Sequence, residues 1–306
     1  MLAYLPRRLL QTVPTLIGVL LVVFFFVRAL PGDPARLYAG PEADVQEVQQ
    51  VRRDLGLDRP LPTQFAYFLR NLTRGSLGVS FRNNQPATQV IADHFLPTLW
   101  LSIAAIVAAT VLGIIAGIGA AINRDSPLDL AITVLSILGI STPSFFLGIL
   151  FIYAFAVRLR VLPISGGPTA TGIILPALTL AASALGTIAR FSRSSLLEVL
   201  GEDYVRTARA KGLRTPRVIG RHALRNALIP VLTITGLQFG FLLSGAVIVE
   251  TVFNYPGLGW LLIQSIDARD YPVIQGLMLV FALEFVLINM AVDLLYAAID
   301  PRIRYD

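Results

Sequence analysis

Long runs without charged residues alternate with polar segments along this chain of 306 residues. Five runs contain no Asp, Glu, Lys or Arg, and a sixth is interrupted only by Glu284 and Asp293. A helix of about 20 apolar residues crosses the hydrocarbon core of a bilayer. The pattern therefore predicts six transmembrane helices, within segments 9–27, 95–123, 130–157, 161–189, 226–249 and 273–298. Two prolines and two glycines in 163–168 place the start of the fourth helix near Thr171.

The composition agrees with a chain whose main solvent is lipid. Hydrophobic residues make up 55% of it, charged residues only 14%, and the mean hydropathy is +0.70. Soluble domains carry about a quarter charged residues. Because lipid offers no partner to backbone groups, each span must satisfy them within its own helix. We therefore expect an all-α, polytopic membrane protein. Cysteine is absent, which excludes a disulfide framework and a cysteine nucleophile.

The basic residues are concentrated in one loop. Segment 190–225 holds nine basic and three acidic residues, a net charge of +6 that equals the formal charge of the whole chain. The positive-inside rule then predicts that this loop and both termini are cytoplasmic. Nucleic-acid modules interleave basic residues with aromatic ones, whereas this loop has only Phe191 and Tyr204. The charge pattern thus favours a membrane protein that binds no nucleic acid.

The expected domain organisation follows from these spans. Residues 1–30 form an N-terminal transmembrane helix, which is retained because no small-residue cleavage site follows it. Residues 31–97 are too polar to span and form an external cap, with a helix over 42–55 that Gly56 closes. Residues 98–306 form a five-helix core that carries a cytoplasmic hairpin at about 198–226.

The usual signatures of catalysis are missing. A phosphate-binding loop ends in Gly-Lys-Ser or Gly-Lys-Thr, but the only lysine, Lys211, lies between Ala210 and Gly212. The two histidines, His94 and His222, flank different helices on opposite sides of the predicted membrane and cannot share a zinc ion. No nucleophile elbow occurs. We therefore expect a chain that is not an enzyme and holds no metal or cofactor.

Three polar residues within the spans are candidates for lining a transport pathway. A polar or charged side chain at membrane depth is costly and is a functional candidate by default. The alternative is that these side chains hold helices together by hydrogen bonds. The candidates are Gln238, Glu284 and Asn289.

Segment 202–230 predicts a helical hairpin. Acidic residues open a first helix and cations close it at Lys211, in agreement with the helix dipole. Gly212 is placed to take the left-handed position after the helix. Thr215 then caps a second helix, with Pro216 at its first position. Two simpler readings of this basic hairpin are a helix that binds anionic lipid and a signal for topology only.

At the hairpin the chain resembles a known family. The segment Asp-Tyr-Val-Arg-Thr-Ala-Arg-Ala-Lys-Gly at 203–212 is similar to the coupling loop of ABC-importer permeases, in its peptide-importer form. Gly212 lies farther from Pro230 than in the general permease pattern, as is typical of the peptide subgroup. The resemblance extends over the whole chain, through segments 30–34, 37–44, 55–61, 189–195, 221–230, 253–259 and 300–305. It indicates the first permease subunit of a dipeptide, oligopeptide or glutathione importer.

The resemblance implies a type I importer bundle in a bacterial inner membrane. Such a chain forms the translocation path with a second permease, receives its cargo from an external binding protein, and is driven by two P-loop ATPases that hold ATP and magnesium. Coupling to the ATPases would fall to the hairpin at 203–225. The residues assigned to this contact are Tyr204, Arg206, Ala208, Arg209, Lys211 and Gly212, of which Tyr204, Ala208 and Lys211 are expected to share one docking face.

Other functions stay open at this point. An ATP-independent secondary transporter or channel would need ion ligands near the midplane, for which Glu284 is the only candidate. A purely anchoring subunit would have no reason for a stiff hairpin. Nickel importers share the same permease pattern, so the sequence does not identify the cargo.

Overall fold

The computed structural model describes residues 4–29, 32–40, 42–167 and 169–299. Over this part of the chain the only bridge between extended segments is the isolated antiparallel pair Val79 and Pro86. All other regular structure there is helical, which confirms the predicted all-α class. The elements are α1 Tyr4–Ala29, α2 Pro34–Ala39, α3 Val45–Asp54, α4 Leu61–Thr73, α5 Ala87–Ile122, α6 Pro127–Ser141, α7 Ser144–Phe151, a π-helical segment Ile152–Arg158, α8 Ile174–Leu200, α9 Asp203–Ala210, α10 Thr215–Arg217, a second π-helical segment Val218–Ala223, α11 Leu224–Val252, α12 Leu258–Asp267 and α13 Tyr271–Ile299.

Most of the predicted spans coincide with long apolar helices. Within the described residues, four segments are long and apolar enough to cross a bilayer: Ala87–Ile122, Ile174–Leu200, Val218–Leu243 and Tyr271–Ile288. The fourth predicted span thus begins close to Thr171, as expected. The first predicted span, 9–27, lies on α1, where the apolar stretch that is described covers Leu16–Phe26. Because this described apolar stretch is shorter than a full span, a total of six transmembrane helices stays a prediction.

The predicted span 130–157 is not one straight helix. It consists of α6 followed by α7 and its π-helical extension, and the two parts are bent by 112°. The break falls at Thr142, whose backbone is extended with φ −81° and ψ 125°. Pro143 explains this conformation, because its ring disfavours a helical residue directly before it. Hydropathy continues unchanged through the proline and therefore predicted a single helix.

The chain divides into two compact units. One unit comprises Met1–Thr98 with Pro256–Val286, and the other comprises Leu99–Tyr255 with Leu287–Asp306. The segment 31–97, predicted as an external cap, lies within the first unit. The division into compact units does not show on which side of the membrane a segment lies. The predicted domain boundaries therefore stay predictions.

In the second unit, α8 packs against α6, α7 and α11. Its buried face is rich in small residues, which let helix backbones approach closely where lipid supplies no hydrophobic driving force between helices. Gly117 of α5 shows how close this approach is. A Cβ atom at this position would lie 2.5 Å from the carbonyl oxygen of Ala189 in α8. Only glycine therefore fits at this contact.

In the first unit, polar contacts fix the segment before α5 against the start of α13. The buried carboxylate of Asp270 accepts hydrogen bonds from the Ser80 hydroxyl and from the Phe81 N–H, the latter at 3.0 Å. The helix predicted over 42–55 is α3, which starts with a capping box between Asp44 and Glu47. This unit forms a separate core, to which α5, α12 and α13 contribute.

Candidate functional site

The first arm of the hairpin at 203–225 is α9, and it ends in a Schellman motif. The Gly212 N–H donates to the Arg209 carbonyl at 2.9 Å, and the Leu213 N–H donates to the Ala208 carbonyl at 3.4 Å. These bonds satisfy carbonyls that have no partner within the helix. Gly212 has φ +78°, the left-handed conformation that glycine adopts without a Cβ clash. The turn predicted at Gly212 is thus present.

The second arm begins one residue earlier than expected. Thr215 was predicted to cap this arm, but it is the first residue of α10, and the Arg214 carbonyl accepts from the N–H groups of Arg217 and Val218 at 2.9 and 3.1 Å. Pro216 is tolerated there because N–H groups of a first turn have no partner within the helix. The arm continues through the π-helical segment directly into α11.

The two arms pack on each other through a small apolar core. Val205, Ala208 and Val218 are buried there, and Val199, Leu200 and Leu213 pack around them. Ala208 is only 7% exposed, so it does not lie on an outer face with Tyr204 and Lys211 as expected. Its spacing of three from Val205 places it on the same side of α9 as that valine. In this structure Ala208 stiffens the hairpin instead of presenting a surface.

The outer face of α9 and its turn is polar and largely basic. Tyr204, Arg206, Arg209 and Lys211 are exposed there. Arg206 lies 3.8 Å from Asp203, but both side chains are more than three-quarters exposed. Surface ion pairs of this kind contribute little to stability. The structure therefore presents these predicted contact residues to the surroundings of the hairpin.

Short contacts join α9 to α11, and α11 in turn to α8. The Asn226 side-chain amide of α11 donates to the Tyr204 hydroxyl at 2.9 Å. At the end of α8, the Ser195 hydroxyl donates to the Ala227 carbonyl at 2.9 Å. Buried Leu196 and Ala227 also belong to one apolar cluster. A displacement of α9 would therefore reach both α8 and α11.

An ion pair that was not predicted from the sequence joins α6 to α8. The Arg193 guanidinium donates from Nε and Nη2 to the two carboxylate oxygens of Asp129, at 2.6 and 2.7 Å. The Asp129 side chain is 6% exposed and that of Arg193 is 30% exposed. Asp129 also accepts from the Asp125 N–H at 3.0 Å. The positions of the two residues in the sequence could have indicated a pair, since Asp129 directly precedes one apolar run and Arg193 follows another.

The three pathway candidates lie on α11 and α13. Gln238 lies in α11 and is partly buried within the second unit. Glu284 lies in α13, belongs to the first unit and is also partly buried. The side chain of Asn289 falls outside the described residues. A role for these residues in the pathway stays a prediction.

Within segment 253–259 of the family resemblance, residues 253 and 255 have a structural task in the second unit. Phe253 and Tyr255 are buried, and the Phe253 carbonyl accepts from the Gly166 N–H at 2.6 Å. Burial raises the pKa of the Tyr255 hydroxyl to about 12, and the nearby Glu250 carboxylate adds to this shift. Tyr255 is therefore protonated at physiological pH and serves as a neutral part of the core.

Metal ligands do not gather in the part of the chain that the structure describes, where no group of three or more His, Cys, Asp or Glu could hold an ion. His94 has its Nδ1 atom 2.8 Å from the Val90 carbonyl oxygen, and its ring stacks on Trp260. This histidine has the contacts of a packed residue in the first unit.

Several apolar spans, with a basic hairpin between α8 and α11, are the features expected of a permease, the membrane subunit of a transporter. The chain belongs to the family described as "Binding-protein-dependent transport system inner membrane component", whose model matches residues 109–305, while the N-terminal model of the same family matches residues 1–103. It is thus a permease subunit of an ABC importer in a bacterial inner membrane, and the resemblance found in the sequence is confirmed.

Full-length relatives place the chain more closely. It is 53% identical over 305 residues to the "Glutathione transport system permease protein GsiC" of Pectobacterium atrosepticum. It is 52% identical over 305 residues to the proteins of the same name from Escherichia coli strain K12 and Salmonella typhimurium. In each case the match covers 100% of both chains.

Solved structures of transporters share the fold. The inward-facing MetNI methionine ABC transporter matches with a TM-score of 0.59 and 19% identity, over 70% of this chain and 97% of that chain. The crystal structure of an amino acid ABC transporter with histidines matches with a TM-score of 0.54 and 16% identity, over 68% of this chain and 92% of that chain. At these identities the likeness concerns the fold alone, and it confirms the type I importer bundle.

Proposed function

We propose that this permease carries short peptides across the inner membrane, with glutathione as the first candidate cargo. The observation that carries this proposal is the 52–53% identity, over the full length, to permeases named for glutathione transport. A peptide importer also agrees with the form of the hairpin at 203–212. The chain would line the path together with a second, different permease subunit.

Energy for transport would come from partner subunits. The sequence has no Gly-Lys-Ser or Gly-Lys-Thr loop, so two P-loop ATPases would bind and hydrolyse ATP with magnesium, and this chain would catalyse no reaction. The hairpin supports the proposal that ATP hydrolysis takes place on partner subunits. Its apolar core and its contacts to α8 and α11 suit it to transmit movement from those subunits to the helix bundle. ATP-driven closure of the ATPases would then favour one of two packings of the helix bundle.

The cargo is tested by uptake into proteoliposomes that contain the permease pair and both ATPases, with the external binding protein added outside. We expect labelled glutathione to accumulate only when ATP is enclosed with the cytoplasmic face. Unlabelled dipeptide and nickel ions serve as competitors. Uptake of nickel or of a dipeptide in place of glutathione would contradict the cargo, and uptake without ATP would contradict the importer.

The orientation gives a direct prediction, since the chain contains no cysteine. A single cysteine in the hairpin, Thr215→Cys, should be protected from a membrane-impermeant thiol reagent in intact cells, whereas Pro60→Cys should react. The reason is that the loop 190–225 carries a net charge of +6 and stays cytoplasmic. Labelling in intact and permeabilised cells measures the difference, and reaction of position 215 in intact cells would reverse the proposed topology.

A further inference from the structure

The first unit contains a cleft that the transport mechanism above does not use. It has a volume of about 420 Å³, within the range of small-molecule sites. The end of α1, the turn at 54–59, α4, the segment 77–81 and the start of α13 line it. All of these segments belong to the same compact unit.

The cleft has an excess of positive charge. Arg28, Arg53 and Arg59 line it, and the single acid there, Asp54, already accepts a hydrogen bond from the Gln50 amide at 2.9 Å. Among the residues that the structure describes, Arg53 forms no ion pair. A free carboxylate is the natural partner of such guanidinium groups.

Two of the arginines are held in place by neighbours that leave N–H groups free. The Nε atom of Arg28 donates to the Gln64 side-chain carbonyl at 2.9 Å, and its Nη1 atom donates to the Phe24 carbonyl at 3.2 Å. The Arg59 guanidinium lies over the Tyr67 ring, 4.7 Å from its centre. Since a guanidinium carries five N–H donors, both groups keep donors for a ligand. Their positions are fixed before a ligand arrives, which lowers the entropy cost of binding.

The buried side chain of Gln275 is a second, independent observation that indicates a bound ligand. Its side chain lines the cleft and is only 6% exposed, yet its Nε2 atom has no hydrogen-bond partner within the described part of the chain. Buried polar groups in folded proteins nearly always have a partner, because an unsatisfied donor is destabilising. Because the Nε2 atom itself is shielded from solvent, the side chain must turn toward the opening of the cleft before a bound acceptor atom can satisfy this amide.

We infer that the cleft binds a small organic anion through a carboxylate group. The Gln275 amide and the guanidinium groups of Arg28 and Arg53 donate to the carboxylate, and the rings of Tyr67 and Phe68 contact the apolar part of the ligand. The inference rests on the proposed function in one respect, the choice of a short peptide acid as the ligand. It adds a site for that ligand on the permease itself, apart from the external binding protein.

The test is a calorimetric titration of the assembled importer, in nanodiscs of neutral lipid and without the external binding protein. The probes are glutathione and its diethyl ester, which has both carboxylates blocked. We expect glutathione to bind and the ester to bind at least about tenfold more weakly, as for the loss of a charged hydrogen-bonding group. Equal binding of both probes, or of neither, would overturn the inference.

Single-residue variants test whether glutathione binds in the cleft. Gln275→Met preserves the size of the side chain and removes the unpaired donor, so it should weaken glutathione binding roughly tenfold while leaving the protein at least as stable. Arg53→Gln should weaken binding similarly. Arg70→Gln removes the same charge from an exposed position of α4 outside the cleft and should leave the affinity unchanged. An unchanged affinity for Gln275→Met would overturn the site.

The phosphate group of an anionic lipid could bind the same guanidinium groups as a peptide carboxylate does. Measuring the phospholipid that copurifies with the importer distinguishes these two ligands. If purified importer retains anionic phospholipid that Gln275→Met releases, and glutathione does not bind in neutral nanodiscs, the peptide carboxylate is wrong. Failure of the inference is distinct from failure of the proposed function. ATP-driven glutathione uptake with the binding protein present measures the function, whether or not the cleft titrates.

Discussion

Replacement of Gly212 by valine should uncouple the importer. Its φ of +78° is left-handed, and a β-branched residue there costs about 1–2 kcal/mol. Relief of this strain would break the Schellman bonds of Gly212 and Leu213 and redirect α9. We expect Gly212→Val to insert and assemble, whereas uptake and substrate-stimulated ATP hydrolysis both fall by about fivefold or more. Both rates are measured side by side in proteoliposomes.

A matched control lies eight residues further along the hairpin. Gly220, like Gly212, has no atom near the position of an added Cβ, but its backbone is not left-handed. Gly220→Val therefore adds the same side chain without the strain and should preserve coupling. Gly212→Asn should retain more activity than valine, since asparagine tolerates the left-handed region. Full stimulation in Gly212→Val would show that the hairpin is only a topology signal.

Loss of the Asp129–Arg193 pair should have the largest effect on stability. The Asp129 side chain is only 6% exposed, and it binds Arg193 through both oxygens. In Asp129→Asn the guanidinium, which is 30% exposed, loses its counter-charge and its charge-assisted hydrogen bonds, which destabilises the contact between α6 and α8. We expect the midpoint of thermal inactivation in detergent to fall by about 2–5 °C.

The control for Asp129→Asn is the same substitution at the neighbouring acidic residue, Asp125. Asp125→Asn removes the same charge from an exposed side chain and should change the midpoint very little. The double variant Asp129→Asn with Arg193→Gln should recover part of the lost stability, because no unpaired charge remains. Equal losses in Asp129→Asn and Asp125→Asn would mean that the pair does not join α6 to α8 in solution.

Features that depend on local sequence could be predicted well. The spans at α5, α8 and α11 follow from uncharged runs, and the span at α13 follows from an apolar run that only Glu284 and Asp293 interrupt, because charge is costly within a membrane span. The turn at Gly212 follows from the position of a glycine after a helix that ends in cations. The break at Pro143 was also encoded locally, but the hydropathy of 130–157 concealed it.

Features that depend on distant contacts could not be predicted. Asp129 and Arg193 are 64 residues apart, and their pairing requires the packing of α6 on α8. The burial of Ala208 depends on the return of Val218 beneath α9. The cleft around Gln275 combines segments from both ends of the first unit. In each case the sequence gives the residue types, and only the fold brings them together.

The hairpin should contact the ATPase that drives transport, and cysteine crosslinking in the assembled importer detects this contact. Lys211→Cys places a thiol on the exposed turn of this cysteine-free chain, while Val79→Cys places one on an exposed position of the first unit. With a short thiol-to-amine reagent, position 211 should crosslink to an ATPase subunit in the assembled importer and position 79 should not. Absence of a crosslink from position 211 in every nucleotide state of an intact complex would show that the hairpin does not contact the ATPase.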